Sequence, residues 1–458
     1  MSDLWTHQQA ALDFIRDKQA ALLDCGMGTG KSRMVVEATK LWDTRYTLVL
    51  CPLSVAPAWR KQFGLFGAGD EDVLVLDKRS TALKADALKA HVERCRAMQR
   101  HAVVVINYDA VWRPALEKLL LHKLTPDLVV FDEVHRIKSP SGKASRFCAR
   151  LAVRAKRRLG LTGTPMPHSP LDVYAEFRAL DTSVFGTSFV RFRAQYGIMG
   201  GFQGKQVVRF QNLEDLRRRM ARITFQASRD VLDLPDAMHH EVECELSSKA
   251  RRAYDSMDAT LQADVGDGEV TAANALVRLL RLQQITSGFV RMADDVDGEL
   301  VQVDDSKQRA LEDLLTDLPD DEPVVVFGRF SSDLQAAHAA AEKVKRKSLE
   351  LSGKRRELEA WQDGQAPILA VQIQSGGTGI DLTRAAYCVY MSTGFSLGDF
   401  EQSLARTHRP GQDRTVHYYH MIAKGTYDEN ISRALKARKS LVESVLNDIA
   451  SALETPTR

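Results

Sequence analysis

Short runs of branched apolar residues, each followed by helical patterning, constrain this chain more than any other feature. "AALLDC" (20–25), "YTLVLC" (46–51), "DVLVLD" (72–77), "AVVVI" (102–106), "DLVVF" (127–131) and "RRLGLT" (157–162) recur over the first 180 or so residues. A second set comprises "PVVVFG" (323–328), "ILAVQI" (368–373), "AYCVYM" (386–391) and "TVHYYHM" (415–421). A strand that is apolar along its whole length has no solvated face, so such runs separated by helices predict parallel sheets covered on both sides. The expected fold is α/β, with two parallel-sheet lobes in tandem and helical insertions between them. The expected bounds are 1–184 for the first lobe, 185–300 for a mainly helical insertion, 301–322 for an acidic linker, and 323–458 for the second lobe with a C-terminal helix. Periodicity in "RRAYDSM" and "NALVRLLRLQQI" supports the helices, and "ADDVDGELVQVDD" with "DLPDDEP" supplies the acidic turns.

Bulk properties narrow the class. The 458 residues suffice for two or three domains, and 44% hydrophobic with 27% charged residues excludes wholesale disorder. A net charge of +3 does not by itself mark a nucleic-acid binder, although a local basic groove needs no global excess. "RAKRR" (154–158), "RRRMAR" (217–222), "KVKRK" (343–347) and "KARK" (436–439) are candidate pieces of one. The six cysteines show neither CxxC nor Cys/His ligand spacing and read as reduced thiols. The N-terminus has no apolar signal core, and no run approaches the ~18 apolar residues of a membrane span. The expectation is an intracellular, cytoplasmic protein with no membrane partner.

Three constellations carry chemistry. "CGMGTGKS" (25–32) follows a strand and opens a helix. Gly28 and Gly30 free the backbone to aim amides at phosphate oxygens, at the positive end of the helix dipole. Lys31 would reach the β- and γ-phosphates, and Ser32 would ligate magnesium. The usual GxxxxGK[ST] pattern has glycine where Cys25 stands, a strand-end position that a small side chain can fill. "LVVFDEVHRIKSP" places Asp132 and Glu133 directly after a buried strand, where one carboxylate can hold the metal ion and the other accept a proton from attacking water. "QSLARTHRPGQ" (402–412) carries Arg406 and Arg409, three apart and on one face if the segment is helical. Guanidinium groups there suit the charge developing on a γ-phosphate, with ATP held between the lobes.

With these residues and others in view, the chain resembles helicase superfamily two, in particular the Swi/Snf type of DNA-translocating ATPase, a DEAD/DEAH-box-like family. "HQQAALDFI", "LVLCPLSVAPAWRKQF" (48–63), "VVVINYDAV" (103–111), "LTGTPMPHSPLDVYAEFRAL" (161–180), "SGGTGIDLT" (375–383) and "RTHRPGQ" are similar to its successive motifs. The resemblance implies two RecA-like lobes that bind ATP and magnesium and act on double-stranded DNA without sequence preference. It implies that Gln8 reads the adenine edge, that Thr29 joins Gly28, Gly30, Lys31 and Ser32 around the phosphates, and that Asp381 touches the nucleotide from the second lobe. It makes Arg406 and Arg409 arginine fingers, and His135, Thr162, Thr164 and Gln402 the coupling between nucleotide and DNA path. Ser54, Tyr108 and Thr378 would lie along the DNA backbone.

Some features depart from the family pattern. The acidic box is DEVH rather than DEAH, residues 276–290 lack the usual ending, and 351–365 is short. With no room for an accessory domain, the size resembles bacterial or bacteriophage members, and protein partners for targeting stay open. The function expected is ATP-driven movement along duplex DNA that remodels or displaces what is bound there. Strand separation on DNA or RNA is the alternative, against which "THRPGQ" argues. A nucleotide-gated binding module is the third reading, against which Lys31, Glu133 and both arginines argue.

Overall fold

All ten apolar runs form strands. The computed structural model describes residues 3–437 apart from 54, 77–79, 164, 167–168, 201–205, 267–271, 292–299, 374–379 and 395, with the backbone alone for 206, 229, 260–266, 272–276, 278, 291 and 300. The chain falls into two compact units, one running from the N-terminus to Asp233 and the other beginning at Leu234.

In the first unit, β1 (Ala20–Cys25), β2 (Tyr46–Cys51), β3 (Glu71–Leu76), β4 (His101–Asn107), β5 (Leu128–Asp132) and β6 (Arg157–Thr162) are joined by helices. A hairpin, β7 (Gly197–Gly200) and β8 (Gln206–Phe210), precedes β9 (Thr224–Ala227). The main sheet is parallel throughout, in the order β3-β4-β2-β5-β6-β1-β9. Its two faces are filled by alternating residues of the same strands. Leu22, Leu48, Val104, Val129 and Phe131 pack with Phe147, Tyr174 and Phe177 on one side. Leu23, Val49, Val105, Val130 and Leu161 pack with Met34, Trp59 and Phe63 on the other. Burial on both faces is what the uniformly apolar runs require.

The second unit holds β10 (Ala237–Cys244), a small hairpin of β11 (Phe289–Arg291) and β12 (Leu300–Gln302), then β13 (Val324–Gly328), β14 (Ser348–Leu351), β15 (Ile368–Gln372), β16 (Tyr387–Tyr390) and β17 (Val416–Ala423). Its main sheet is also parallel, in the order β10-β17-β16-β13-β15-β14. Val324, Val326 and Ala370 face one apolar layer, and Val325, Phe327 and Val371 face the other.

The expected boundaries are revised. The span 185–300, read as mainly helical, contributes β9 to the first sheet and β10 to the second, so the first unit extends well past residue 184. The span 301–322, read as linker, contains the end of β12 and a helix, Ser306–Asp317, whose Leu311 and Leu315 are fully buried. The strands of the two main sheets that went unrecognised, β9, β10 and β14, all lie at sheet edges. An edge strand buries fewer of its side chains, so "TFQA", "AMHHEVEC" and "SLEL" carry polar residues that hide their periodicity. Among the described residues no helix is long and apolar enough to cross a membrane.

Two histidine pairs tie β10 to β17 on opposite faces of the ladder. His239 Nδ1 lies 3.0 Å from His420 Nε2, and His240 Nε2 lies 3.1 Å from His417 Nδ1. Each pair of rings is close to coplanar, so each pair shares one proton along the nitrogen–nitrogen line. Burial, then the neighbouring His239, lowers the His420 imidazole to about 4, with Glu241 opposing. The folded chain therefore resists protonation that the unfolded chain accepts near 6.5, and stability is lost as pH falls from that value towards 4. His420→Asn should flatten the fall in urea midpoint over this window. Parallel curves for the two proteins would show that His420 is not the titrating group.

Candidate nucleotide site

The site is built at the carboxyl ends of three adjacent strands, β1, β6 and β5. Register sets Asp24 of β1 beside Thr162 of β6, and Leu161 of β6 beside Asp132 of β5. In parallel α/β sheets this edge is where loops can hold a ligand.

After Cys25 the chain turns through Gly28 and Gly30, both left-handed at φ 87° and 81°, into the helix Lys31–Leu41. A side chain at Gly30 would meet more than backbone strain, because an added Cβ would lie 2.3 Å from Gln8 Nε2. Thr29 is fully buried, and its hydroxyl donates to Gly26 O at 2.7 Å. Lys31 Nζ donates to Cys25 O at 2.7 Å and Gly26 O at 3.2 Å, which lays the ammonium across the mouth of the loop. Ser32 stands in the first turn of the helix. Cys25 belongs to the apolar layer beneath, and burial raises its thiol to about 12. It is an inert strand-end residue, so the missing glycine is no defect.

Gln8 is also buried. Its Oε1 accepts from Trp5 N at 3.1 Å and its Nε2 donates to Thr29 O at 3.1 Å, so the amide pins the loop to the helix Thr6–Ile15.

Asp132 closes β5, and Glu133 follows in the left-handed region at φ 51°, a conformation a non-glycine residue adopts at a cost of order 1–3 kcal/mol. Trp59 Nε1 donates to Asp132 Oδ2 at 3.0 Å. Burial raises the Asp132 carboxyl, opposed by this hydrogen bond and by the charge of Lys31, which ties the acidic strand end to the loop. Glu133 Oε2 lies 3.4 Å from His135 Nδ1, which lies 3.3 Å from Thr162 Oγ1. His135 thus links the end of β5 to the end of β6. The next residue, Gly163, runs so near the loop that an added Cβ would approach Cys25 O to 3.2 Å and Lys31 Nζ to 3.7 Å. Three separate motifs of the sequence meet here.

Two members of this cluster, Trp59 and Asp24, escaped the sequence reading. Trp59 lies within the 48–63 motif, and its buried indole N–H requires an acceptor, which is Asp132. Asp24 accepts from Gln226 Nε2 at 2.8 Å, and burial raises its carboxyl to about 6. Tyr108 corrects an expectation. It was assigned to the DNA backbone, but its ring is buried and its hydroxyl donates to Asp132 O at 2.9 Å. It props the acidic strand end from below, because the strand before it delivers its side chain to the core. Ser54, Thr164 and Thr378 lie outside the described residues.

In the second unit the turn after helix Leu397–Thr407 wraps the segment 380–385. Leu382 N donates to Arg406 O at 3.0 Å, Arg409 Nη1 to Ile380 O at 3.3 Å, and Gln412 Nε2 to Ala385 O at 2.9 Å and Thr383 O at 3.1 Å. Arg406 is buried, with Nε donating to Gln402 O at 3.3 Å, and Gln402 is buried as well. Because the helix ends at Thr407, Arg409 lies in the following turn and does not share a helical face with Arg406, as the spacing had suggested. Its Nε is buried without a hydrogen bond. Asp381 is exposed, its Oδ1 accepting from Thr383 N at 3.0 Å and Thr383 Oγ1 at 2.7 Å. Gln412, quoted in the signature but given no role, is the buried clamp of this turn.

Comparison with known proteins agrees with this arrangement. Residues 7–288 match the SNF2-related domain and residues 306–411 the helicase conserved C-terminal domain. The chain belongs to the SNF2-related family, and this pair of domains marks it as an ATPase. It is 25% identical over 465 residues to protein p41 of Acyrthosiphon pisum secondary endosymbiont phage 1, covering 96% of this chain and 97% of that protein. It is 25% identical to a Caenorhabditis elegans homologue of SWI/SNF-related matrix-associated actin-dependent regulator of chromatin subfamily A-like protein 1, covering 93% of this chain and 59% of that one. Against the Bacillus subtilis ATP-dependent helicase/translocase YwqA the identity is 24%, over 87% of this chain and 43% of the relative. The chain thus spans nearly all of the phage protein and about half of the other two. A solved structure, the Sulfolobus solfataricus SWI2/SNF2 ATPase core in complex with dsDNA, aligns over 98% of this chain with 22% identity and a TM-score of 0.44.

Gly30→Ala should weaken ATP binding by about tenfold, because alanine is strained at this left-handed backbone and its added carbon would push the Gln8 amide away from Thr29 O. Equilibrium titration of the full chain tests this, and native-like affinity would remove the loop from the phosphate site.

Proposed function

We propose that this protein is an ATP-dependent translocase on double-stranded DNA, moving without sequence preference and displacing or remodelling what is bound there. The observation that carries the reading is the meeting of Lys31, the Asp132–Glu133 pair and the Thr162–Gly163 turn at three neighbouring strand ends. A glycine loop alone would bind an anion. A loop with an acidic pair and a histidine bridge to the next strand can also register whether the anion has been cleaved.

The residues present fit a magnesium ion. The Ser32 hydroxyl and the buried Asp132 carboxylate are hard oxygen donors, and Trp59 already orients that carboxylate. Bound there, magnesium would neutralise charge on the β- and γ-phosphates. Lys31 exchanges its two backbone carbonyls for phosphate oxygens, a change of acceptor that leaves its ammonium paired. Glu133, fixed by its left-handed backbone, accepts the proton of the attacking water. His135 passes the change to Thr162. Loss of phosphate removes those interactions, and the conformational equilibrium they bias then drives stepping. Duplex DNA as the track is supported by membership of the SNF2-related family, and phosphate contacts would make binding salt-sensitive.

The test is the rate of ATP hydrolysis with no nucleic acid, duplex DNA, single-stranded DNA and RNA, alongside unwinding of a forked duplex. Duplex should stimulate most, with the fork left paired. Greatest stimulation by single strands or RNA, or fork opening, would favour the strand-separating alternative. Glu133→Gln should bind ATP normally and lose turnover by ~100-fold or more. Near-native hydrolysis by that variant would take the proton-accepting role from Glu133.

A further inference from the structure

His91 and Cys95 stand four residues apart on the helix Thr81–Ala97, so their side chains leave the same face. Both are buried, and Asp72 of the edge strand β3 meets them from the sheet. Cys95 Sγ lies 3.8 Å from His91 Nε2, and His91 Nδ1 lies 4.0 Å from Asp72 Oδ1. One ligand atom from each of the three lies within 4.8 Å of the other two. Neither segment announces this meeting, because the helix offers two of the groups and the third comes from a strand 19 residues before His91. Arg94 reaches into the same space, its Nη2 2.8 Å from Asp72 Oδ2 and 3.2 Å from His91 Nδ1. A guanidinium can only donate, so Nδ1 accepts and Nε2 carries the ring proton, which goes to Asp72 O at 3.0 Å. Burial lowers the pKa of the imidazole, with Asp72 opposing, and keeps the ring neutral.

An imidazole that donates from one nitrogen to a backbone carbonyl and presents the other lone pair to a cation has the arrangement of a metal ligand. We propose that Asp72, His91 and Cys95 form a binding site for a zinc-class divalent cation, which displaces the guanidinium of Arg94. Imidazole and thiolate select against magnesium and calcium, whose ligands are hard oxygens. Ligand atoms around a tetrahedral zinc stand about 3.4–3.7 Å apart, so closure by roughly an ångström suffices, and a water completes the fourth position. Binding turns the Cys95 thiol into a thiolate and releases its proton to solvent. One thiolate and one carboxylate then neutralise the two charges of the ion. Arg94 is no longer needed as the counter-charge, and its side chain, 57% exposed, can turn into water. Asp72 is 26% exposed, which leaves the ion a way in. The site fastens the edge strand to its covering helix. It lies three strands from β5 and does not depend on the reading of the nucleotide site.

Titration of the metal-stripped full chain with cobalt(II), a spectroscopic stand-in for zinc, provides the test, with magnesium present throughout. A thiolate-to-cobalt absorption band should grow to one equivalent, and added zinc should abolish it. Oxygen ligands such as those of the nucleotide site give no such band. Cys95→Ser should lose the band, and His91→Gln should weaken zinc binding about 100-fold. Arg94→Ala should tighten zinc binding several-fold, because the competing charge is gone and removal of an exposed side chain leaves the fold intact. No thiolate band at saturating cobalt in the native chain would overturn the proposal, as would a band of full strength in Cys95→Ser. Unchanged or weaker zinc affinity in Arg94→Ala would overturn it too, since the ion would then not take the place of the guanidinium.

Discussion

The chemistry of the first unit depends on one register, the parallel pairing of β1 with β6 and of β6 with β5. It sets Asp24 opposite Thr162 and Leu161 opposite Asp132, so that three loops leave the sheet side by side. A slip of one residue would turn every side chain of a strand to the other face. Leu23, Val130 and Leu161 would leave their apolar layer, and Asp132 would no longer meet the indole of Trp59. The apolar alternation that stabilises the sheet is thus also what aligns the acidic pair with the phosphate loop.

Burial at that edge makes the polar contacts specific. Asp132 is buried and would be costly as a carboxylate without help, and Trp59 and the nearby Lys31 provide it. Lys31 itself rests on two backbone carbonyls, and Glu133 is held in a backbone conformation that few side chains tolerate. Tyr108 supports the same strand end through the Asp132 carbonyl. The site is preorganised in the sense that its charged groups are already held by an indole, backbone carbonyls and a fixed backbone. The second unit repeats the principle with backbone acceptors, where Arg409 and Gln412 hold segment 380–385 through its carbonyls.

Much of this was legible because the determining interactions are local or periodic. Central strands announce themselves as continuous apolar runs, and the glycines of the loop are required where φ is positive. The acidic pair follows its strand without interruption. Three of the four main-sheet edge strands were not legible, since β9, β10 and β14 satisfy their backbones against one neighbour and need little apolar sequence, whereas the edge strand β3 was. Residues acting through distant partners were not legible either. Trp59 and Asp132 are 73 positions apart, and nothing in either segment names the other. Tyr108 shows the converse hazard, where a polar side chain in a motif read as exposed proves to be buried against a backbone carbonyl.

The amino-acid sequence by itself determined the class of fold, the phosphate loop, the acidic pair and the family, because each depends on residue type at short fixed spacing. Only the tertiary structure decided how far the first unit extends, that Cys25 is an inert member of the core, and that Arg409 lies beyond its helix. It alone brought Asp72 to the helical face that carries His91 and Cys95. The physical reason is the same throughout: hydrogen bonds, burial and ring contacts act over a few ångströms in space, between residues whose distance along the chain carries no record of the meeting.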